Sequence, residues 1–478
     1  MKRVKLFVEN FLAYGAINIL NKIIPLLLLP VITRMLADPS DFGIYDMYNT
    51  IIGFATPLIM LGIYDAMFRE FFEKNDVQYR YDVTSTANRI VMVTSTAASL
   101  FLIGFSSVFS QFFFRTPKYN FVVILAAIEI FLSNNRTIIA GPTRIQNKRM
   151  IYVFSGLFTS LTYYVLAILL IYLGYSFYGM IYANIISTFI ILVFFFILNK
   201  SYFTQGSYDK EIAKELLKIG LPLVPTFIIY WIFNSMDKLM IANMLGTAEL
   251  GIYSIGSKMA SVSSLIYAAF SGGFSYFKFS TMKDADQVEF NSKLFEYLGL
   301  ISFISFLVIY PFIPVVFEFL FPASYAGGEY VVPYLFISPL LLMLFQIVGS
   351  QFIVTKKTYM TTITLALGAF VNVALNWLLI PIIGVEGAAL ATLLGYSLSL
   401  IIVNLIGQYY EVHIISKRFV VSSAFLALYW LIARLAIQDE FWKQFILSGL
   451  FILFLLFVYK NVVIKFSKKL LLMIKNKQ

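Results

Sequence analysis

The chain has 478 residues, 60% of them apolar and only 13% charged, with no cysteine and a formal net charge of +11. A soluble globular chain is about half apolar and a quarter charged, so this composition excludes that class and points to a protein embedded in a bilayer. The absence of cysteine excludes disulfides, iron–sulfur clusters and cysteine-ligated zinc.

Stretches of about 20 mostly apolar residues, enough to cross a hydrocarbon core, recur along the whole sequence. They predict an all-α polytopic membrane protein of about 14 transmembrane helices, at 11–32, 44–66, 86–110, 119–140, 151–173, 178–198, 219–242, 252–276, 294–316, 331–353, 359–381, 385–407, 418–436 and 443–463. The opening "MKRVK" is basic like a leader, but the apolar run behind it contains Lys22 and has no Ala-x-Ala site, so it is read as the first span. Loops before and after successive spans differ in charge. With a cytoplasmic amino terminus, the inner segments hold 26 of the 36 Lys and Arg, the outer loops five (Arg34, Arg115, Lys118, Arg434, Lys443) and the spans five. That asymmetry predicts that both termini are cytoplasmic and assigns the positive balance to topology and contact with membrane lipids; no nucleic-acid partner is expected.

The sequence repeats itself. "MLADPSDFGIYDM" (35–47) returns as "MLGTAELGIYSIG" (244–256), with Gly-Ile-Tyr shifted by 208. The same shift carries Lys148-Arg149 onto Lys356-Lys357, Gly179 onto Gly387 and Ala183 onto Ala391. A duplicated unit of six spans follows, and because six is even both copies enter the bilayer in the same orientation. The expected organisation is a six-helix lobe over 1–200, a linker over 201–218, a second six-helix lobe over 219–408, and two added helices with a basic tail over 409–478. In the linker, Ile212, Leu216, Leu217 and Ile219 interleave with Lys210, Lys214 and Lys218, as in a short amphipathic helix on the inner surface. For the repeated Gly-Ile-Tyr the expectation is modest: a glycine that permits a tight turn and a tyrosine in the interface belt.

A charge at mid-bilayer costs about 2.5 to 3.5 kcal/mol, so each one needs a partner or a wet cavity. The first span carries Asn18 and Lys22; the second carries Asp46, Asn49 and Thr50 on one face, which the repeat turns into Ser254, Ser257 and Lys258 in the eighth. The fourth span offers Glu129 and Arg136, and the seventh Asn234, Asp237 and Lys238; Arg89 starts the third. Pairs such as Lys22 with Asp46, or Glu129 with Arg136, would neutralise one another. The five intramembrane cations Lys22, Arg89, Arg136, Lys238 and Lys258 outnumber the deep acids, so a polar lumen between the lobes would prefer an anion. No P-loop, His-Glu-x-x-His motif or metal-ligand cluster is present, so neither a cofactor nor an enzyme is expected. The single histidine, His413, is expected at a solvated surface.

The fourteen spans, together with "TRMLADPSDFGIY", "DKLMIANMLGTAELGIYS", "LFPASYAGG" and "GVEGAALAT", resemble the polysaccharide transporters of the MOP superfamily, the flippases for O-antigen, capsule or exopolysaccharide repeat units. The resemblance implies a MATE-like two-lobed bundle of parallel six-helix repeats plus two C-terminal helices, in the cytoplasmic membrane. It implies as cargo an undecaprenyl-diphosphate-linked oligosaccharide, moved by alternating access through a V-shaped cavity, with the last two helices accommodating the lipid tail. A polysaccharide polymerase and chain-length proteins are the implied partners. Lys22, Arg136, Lys238 and Lys258 would then pair with the diphosphate while Asn18 and Asn234 bond sugars, and Asp46, Glu129 or Asp237 would couple transport to H⁺ or Na⁺. Cation-coupled drug antiporters and lipid II flippases of the same superfamily are the alternatives, and a membrane-embedded polymerase is a weaker one.

Overall fold

A computed structural model describes residues 24–36, 38–267, 286–355, 357–437 and 440–460. Among them the chain is helical throughout, without a strand. Helix α1 is Ile24–Met35. It is followed by α2 (Pro39–Met60), α3 (Ile63–Glu70), α4 (Val77–Gly104), α5 (Ser106–Phe114), α6 (Asn120–Ile145), α7 (Arg149–Leu170), α8 (Ser176–Leu198), α9 (Lys200–Thr204) and α10 (Lys210–Gly220). The second half runs α11 (Val224–Met244), α12 (Thr247–Ala260), α13 (Gln287–Ile309), α14 (Ile313–Leu320), α15 (Val332–Val354), α16 (Tyr359–Tyr409), α17 (Lys417–Leu435) and α18 (Phe441–Val458).

Short polar residues start α2, α4, α10 and α17 by satisfying their first free N–H groups. Asp38 accepts from Ser40 N, Asp76 from Tyr79 N, Asp209 from Glu211 N and Ile212 N, and Ser416 from Phe419 N. The Asp76 cap starts α4 nine residues before the expected third span.

Among the described residues nine helical stretches are long and apolar enough to cross a membrane, ten with the α2–α3 pair, which bends by 44°. Two of them, Met150–Leu198 and Tyr359–Tyr409, are 49 and 51 residues long, about 75 Å if straight, and each is broken midway. Each therefore folds into a helical hairpin. The expected first, eighth and fourteenth spans are described only in part, so the count of fourteen remains an expectation.

The duplication is written into the backbone. Helices α2, α4, α5, α6 and α7 each begin within four residues of their counterparts α12, α13, α14, α15 and α16 at the shift of 208. The two hairpins break at the same place: Ser176 (φ 47°, ψ −137°) and Gly384 (φ 63°, ψ −144°) are repeat equivalents in the same conformation. Just beyond, Gly179 and Gly387 lie against the backbone at Leu170–Ile171 and Leu379, where a Cβ would press on the preceding helix.

The repeated Gly-Ile-Tyr is not in a turn. Gly43 and Gly251 lie inside α2 and α12, which cross there in near contact. A Cβ on Gly43 would strike the Thr247 carbonyl, and one on Gly251 would strike that of Pro39. Since Pro39 and Thr247 are themselves repeat equivalents, the contact is reciprocal, as across a two-fold axis. The tyrosines are buried rather than belted at an interface: Tyr45 is 7% exposed and Tyr253 0%.

Further ties close this end of the bundle. Arg34 Nη2 donates to the Phe319 carbonyl at 2.9 Å, and the Tyr325 hydroxyl to the Leu36 carbonyl at 3.0 Å. The loops at this end carry few cations, and the basic loops gather at the opposite end. There α10 forms as its sequence predicts, but its apolar face is covered by protein: Ile212 and Leu216 pack with Ile63, Met67, Val83 and Ala87 of α3 and α4. His413 is also buried at that end, at 1% exposure, against Phe295 and Ser292. The expectation of a solvated histidine is corrected, because the 410–416 loop folds back onto α13, with Ile414 N donating to Ser292 Oγ and Ser416 Oγ to Glu296.

Candidate functional site

Where α2, α11 and α12 meet, about 10 Å from the start of α2, three expected site residues converge. Asp46, 1% exposed, forms an ion pair with Lys238 Nζ at 2.8 Å and a looser one with Lys258 Nζ at 4.0 Å. Ser254 Oγ donates to the same carboxylate at 2.7 Å. Asp46 comes from the first half and its three partners from the second. The polar faces of α2 and α12, expected to line one cavity, are in direct contact at this level. Asp46 is sealed, whereas the Lys238 and Lys258 side chains keep 20% and 40% of their surface, so the cluster borders open space on the lysine side. Lys258 also lies over the Phe42 ring.

Behind Lys238, Asp237 turns into the second half. Its carboxylate accepts from the Tyr253 hydroxyl and, at 2.8 Å, from the Lys238 amide. Close to Tyr253 is Thr392, whose hydroxyl accepts from Asn372 Nδ2 at 3.0 Å. Asn372 Oδ1 is buried with no hydrogen-bond partner among the described residues. A carboxylate, two hydroxyls and an amide oxygen are hard donors of the kind that hold Na⁺ or a proton. The described residues contain no cluster of three or more His, Cys, Asp or Glu that would hold a transition metal.

Glu129 occupies the corresponding interior of the first half. It is 4% exposed; Oε1 accepts from Thr188 at 2.8 Å, and Oε2 has no partner among the described residues. Nearby Tyr48 stacks on Tyr45, and Tyr45 on Tyr163, giving an aromatic core. The expected Glu129–Arg136 ion pair is not formed: Arg136 is two turns further along α6, half-buried, with no ion pair among the described residues. Asn234 is exposed, its amide turned back onto the Tyr230 carbonyl at 2.6 Å. Arg89 is exposed on α4 and joins no cluster among the described residues. Asn18 and Lys22, and with them the Lys22–Asp46 alternative, lie outside the described residues.

Sequence reasoning passed over Tyr253, Thr392 and Asn372. The signal for Tyr253 was present, since it belongs to the repeated Gly-Ile-Tyr.

The model of a family described as "Polysaccharide biosynthesis protein" matches residues 31–323, more than half of the sequence. The chain belongs to that family. Its members are thus the context for the Asp46 cluster, which falls wholly within the matched residues. No functionally curated protein matches the sequence. The fold is similar to that of the lipid II flippase MurJ in an inward closed conformation, with a TM-score of 0.70 at 14% identity over 94% of this chain and 99% of that one. It is also similar to a multidrug resistance MATE family transporter of the MOP superfamily. The inward-facing conformation gives a TM-score of 0.65 at 15% identity (81% and 94% of the two chains), the outward-facing one 0.56 at 13% identity (84% and 95%). The helical bundle therefore has the fold shared by MurJ and the MATE transporters of the MOP superfamily.

Proposed function

We propose that this multi-pass membrane protein is a flippase that carries undecaprenyl-diphosphate-linked oligosaccharide from the cytoplasmic to the outer leaflet of the cytoplasmic membrane for surface polysaccharide synthesis. In this reading the basic end faces the cytoplasm, and residues 1–200 and 219–408 are the two rocking lobes. The carrying observation is the ion cluster: two lysines of one lobe close on one carboxylate of the other. Parting the lobes there leaves Lys238 and Lys258 without Asp46, at a cost of about 2.5 to 3.5 kcal/mol for each charge stranded in the membrane. A diphosphate beside them supplies the missing counter-ion. Opening is thus favoured for the loaded carrier and opposed for the empty one, which is the differential interaction that a ligand-driven shift requires.

Arg136 and Lys22 would extend the cationic path, with Asn18 and Asn234 facing the sugars. Moving about two negative charges out across an inside-negative membrane is downhill by about 2.3 kcal/mol per charge per 100 mV. Asp237, with its hydroxyl and amide neighbours, and Glu129 are the groups through which Na⁺ or H⁺ would couple.

The test is replacement of Lys238 or Lys258 by alanine. Surface polysaccharide should disappear, with its lipid-linked precursor held on the inner face and the protein level unchanged; normal polymer in both variants would remove this reading. The similarity to MurJ favours lipid II as a second cargo, and in that case loss of the gene arrests peptidoglycan synthesis instead. A drug antiporter would show altered resistance to cationic compounds and no change in polysaccharide.

A further inference from the structure

The seam between α2 and α11 extends beyond the ion cluster. Asp46 meets Lys238, and about 10 Å further towards the basic end Phe54 meets Trp231, the rings edge to face with 4.9 Å between centres. Beside Phe54, the place of a Cβ on Gly53 is 3.4 Å from Trp231 Nε1. The indole edge of the second half thus lies on bare backbone of the first. Trp231, Asn234 and Lys238 follow at i, i+3 and i+7, which puts them on one face of α11. Asn234 is exposed on that face, and a polar side chain inside a span faces the bundle interior or a wet cavity rather than lipid.

The contact leaves one group unpaired. Trp231 Nε1 is buried with no hydrogen-bond partner among the described residues. Neither Phe54 nor Gly53 has a side chain that could accept from it, and a buried donor left unpaired is unfavourable. The indole nitrogen is a donor only, so an oxygen brought by a ligand would satisfy it. A flat apolar face with one N–H at its edge suits a pyranose, which presents C–H bonds on its face and hydroxyl oxygens around its rim. A prenyl chain would cover the face and leave the N–H unpaired. A diphosphate would take the N–H, but Lys238 already stands ready for it about 10 Å along the same helix.

We propose that Trp231 is the sugar-reading residue of the seam: when α2 leaves α11, the indole stacks on the sugar nearest the diphosphate and its Nε1–H donates to a hydroxyl of that sugar. The proposal rests on the flippase reading and deepens it. Lys238 and Lys258 recognise any lipid diphosphate, whereas Trp231 finds a full partner only when a sugar is attached. In the empty carrier Phe54 covers the ring. A carrier loaded with sugar-free lipid exposes the indole to nothing that fits it, so the two lipids are separated by a difference in interaction with the open state.

The experiment compares the affinities of two probes for the full-length protein in nanodiscs. One is the lipid-linked oligosaccharide extracted from the cell's own membrane; the other is undecaprenyl diphosphate, with the same lipid and diphosphate and no sugar. Wild-type protein is expected to bind the first more tightly. Trp231→Ala should weaken the first by about 10-fold and leave the second unchanged, and Trp231→Phe, which keeps a ring but not the N–H, should fall between. Lys238→Ala should weaken both. Equal losses for both probes in Trp231→Ala would overturn the proposal by reducing Trp231 to a packing residue, and no loss for either would overturn it too. So would wild-type affinity in Trp231→Phe, since the N–H would then carry nothing. Failure of the flippase reading is distinct: wild-type protein then binds neither probe, or Lys238→Ala affects neither, and the proposal falls with it.

Discussion

Asp46 and Ser254 occupy the same position in the two copies of the repeat, 208 residues apart, and they are hydrogen-bonded to each other at 2.7 Å. An internal duplication normally places equivalent residues far apart, one in each lobe. Here the axis relating the lobes passes between α2 and α12, so equivalent positions meet there. The two copies have diverged where they touch: an acid on one side, a hydroxyl and a lysine on the other.

Replacing Asp46 by Asn should be costly, because it leaves Lys238 charged and without its partner. Removing one member of a buried pair typically costs about 3 to 5 kcal/mol, whereas replacing both by uncharged groups costs far less. Thermal unfolding of Asp46→Asn, Lys238→Met and the double variant in nanodiscs should show the double variant more stable than Asp46→Asn alone. Additive losses would show that the pair is not coupled.

The crossing of Gly43 and Gly251 has no room for a methyl group. Overpacking of this kind costs about 1 to 3 kcal/mol, charged here only to the state in which the lobes are closed at this end. Because the chain lacks cysteine, a single Ser254→Cys is a clean reporter of closure. In the Gly43→Ala background its labelling by an impermeant maleimide should rise by ~10-fold, the change that about 1.4 kcal/mol produces.

Ser176 holds a positive φ that suits glycine, and its hydroxyl is anchored on Asp41. Its equivalent is glycine, Gly384. Ser176→Gly should be nearly neutral in thermal stability, since relief of the backbone offsets the lost hydrogen bond. Gly384→Ser should lose about 1 to 3 kcal/mol, the usual cost of a side chain in that region.

His413 gives a pH signature. Burial pushes its imidazole down to about 4 from 6.5. Between those values the unfolded chain binds a proton that the folded protein does not. The stabilisation is therefore complete above about pH 6.5 and is lost as pH falls towards 4, reaching about 2 kcal/mol at pH 5. His413→Gln should flatten that part of the stability profile, measured by thermal unfolding at pH 7.5 and 5.

Much of the architecture could be read from hydropathy and from one shift. The duplication at a shift of 208, the amphipathic α10 and the polar faces of α2 and α12 are one-dimensional signals, and they survive folding. What touches what is not such a signal. Helical periodicity put Asp46 and Lys238 on polar faces but could not say that those faces meet, since that depends on how the lobes dock. Tyr253 looked like an interface tyrosine because its partner, Asp237, is one helix away. Gly43 looked like a turn glycine because close helix crossings and turns favour the same residue. His413 was misplaced because the sequence of a loop does not reveal that it folds back onto α13.

The packing of α10 bears on how such a molecule would move. This helix adheres to the first lobe, while α11, three residues later, already belongs to the second. Leu221–Leu223, a single tight turn containing Pro222, joins the two helices, and in the flippase reading it would be the axle between the lobes. Alongside it, Gly62 and Gly220 touch backbone to backbone, a smooth bearing with no side chain to catch. Any swing about that joint is smallest beside it and grows along the length of the bundle, so the greatest travel falls to Pro39 and Thr247, at the far rim.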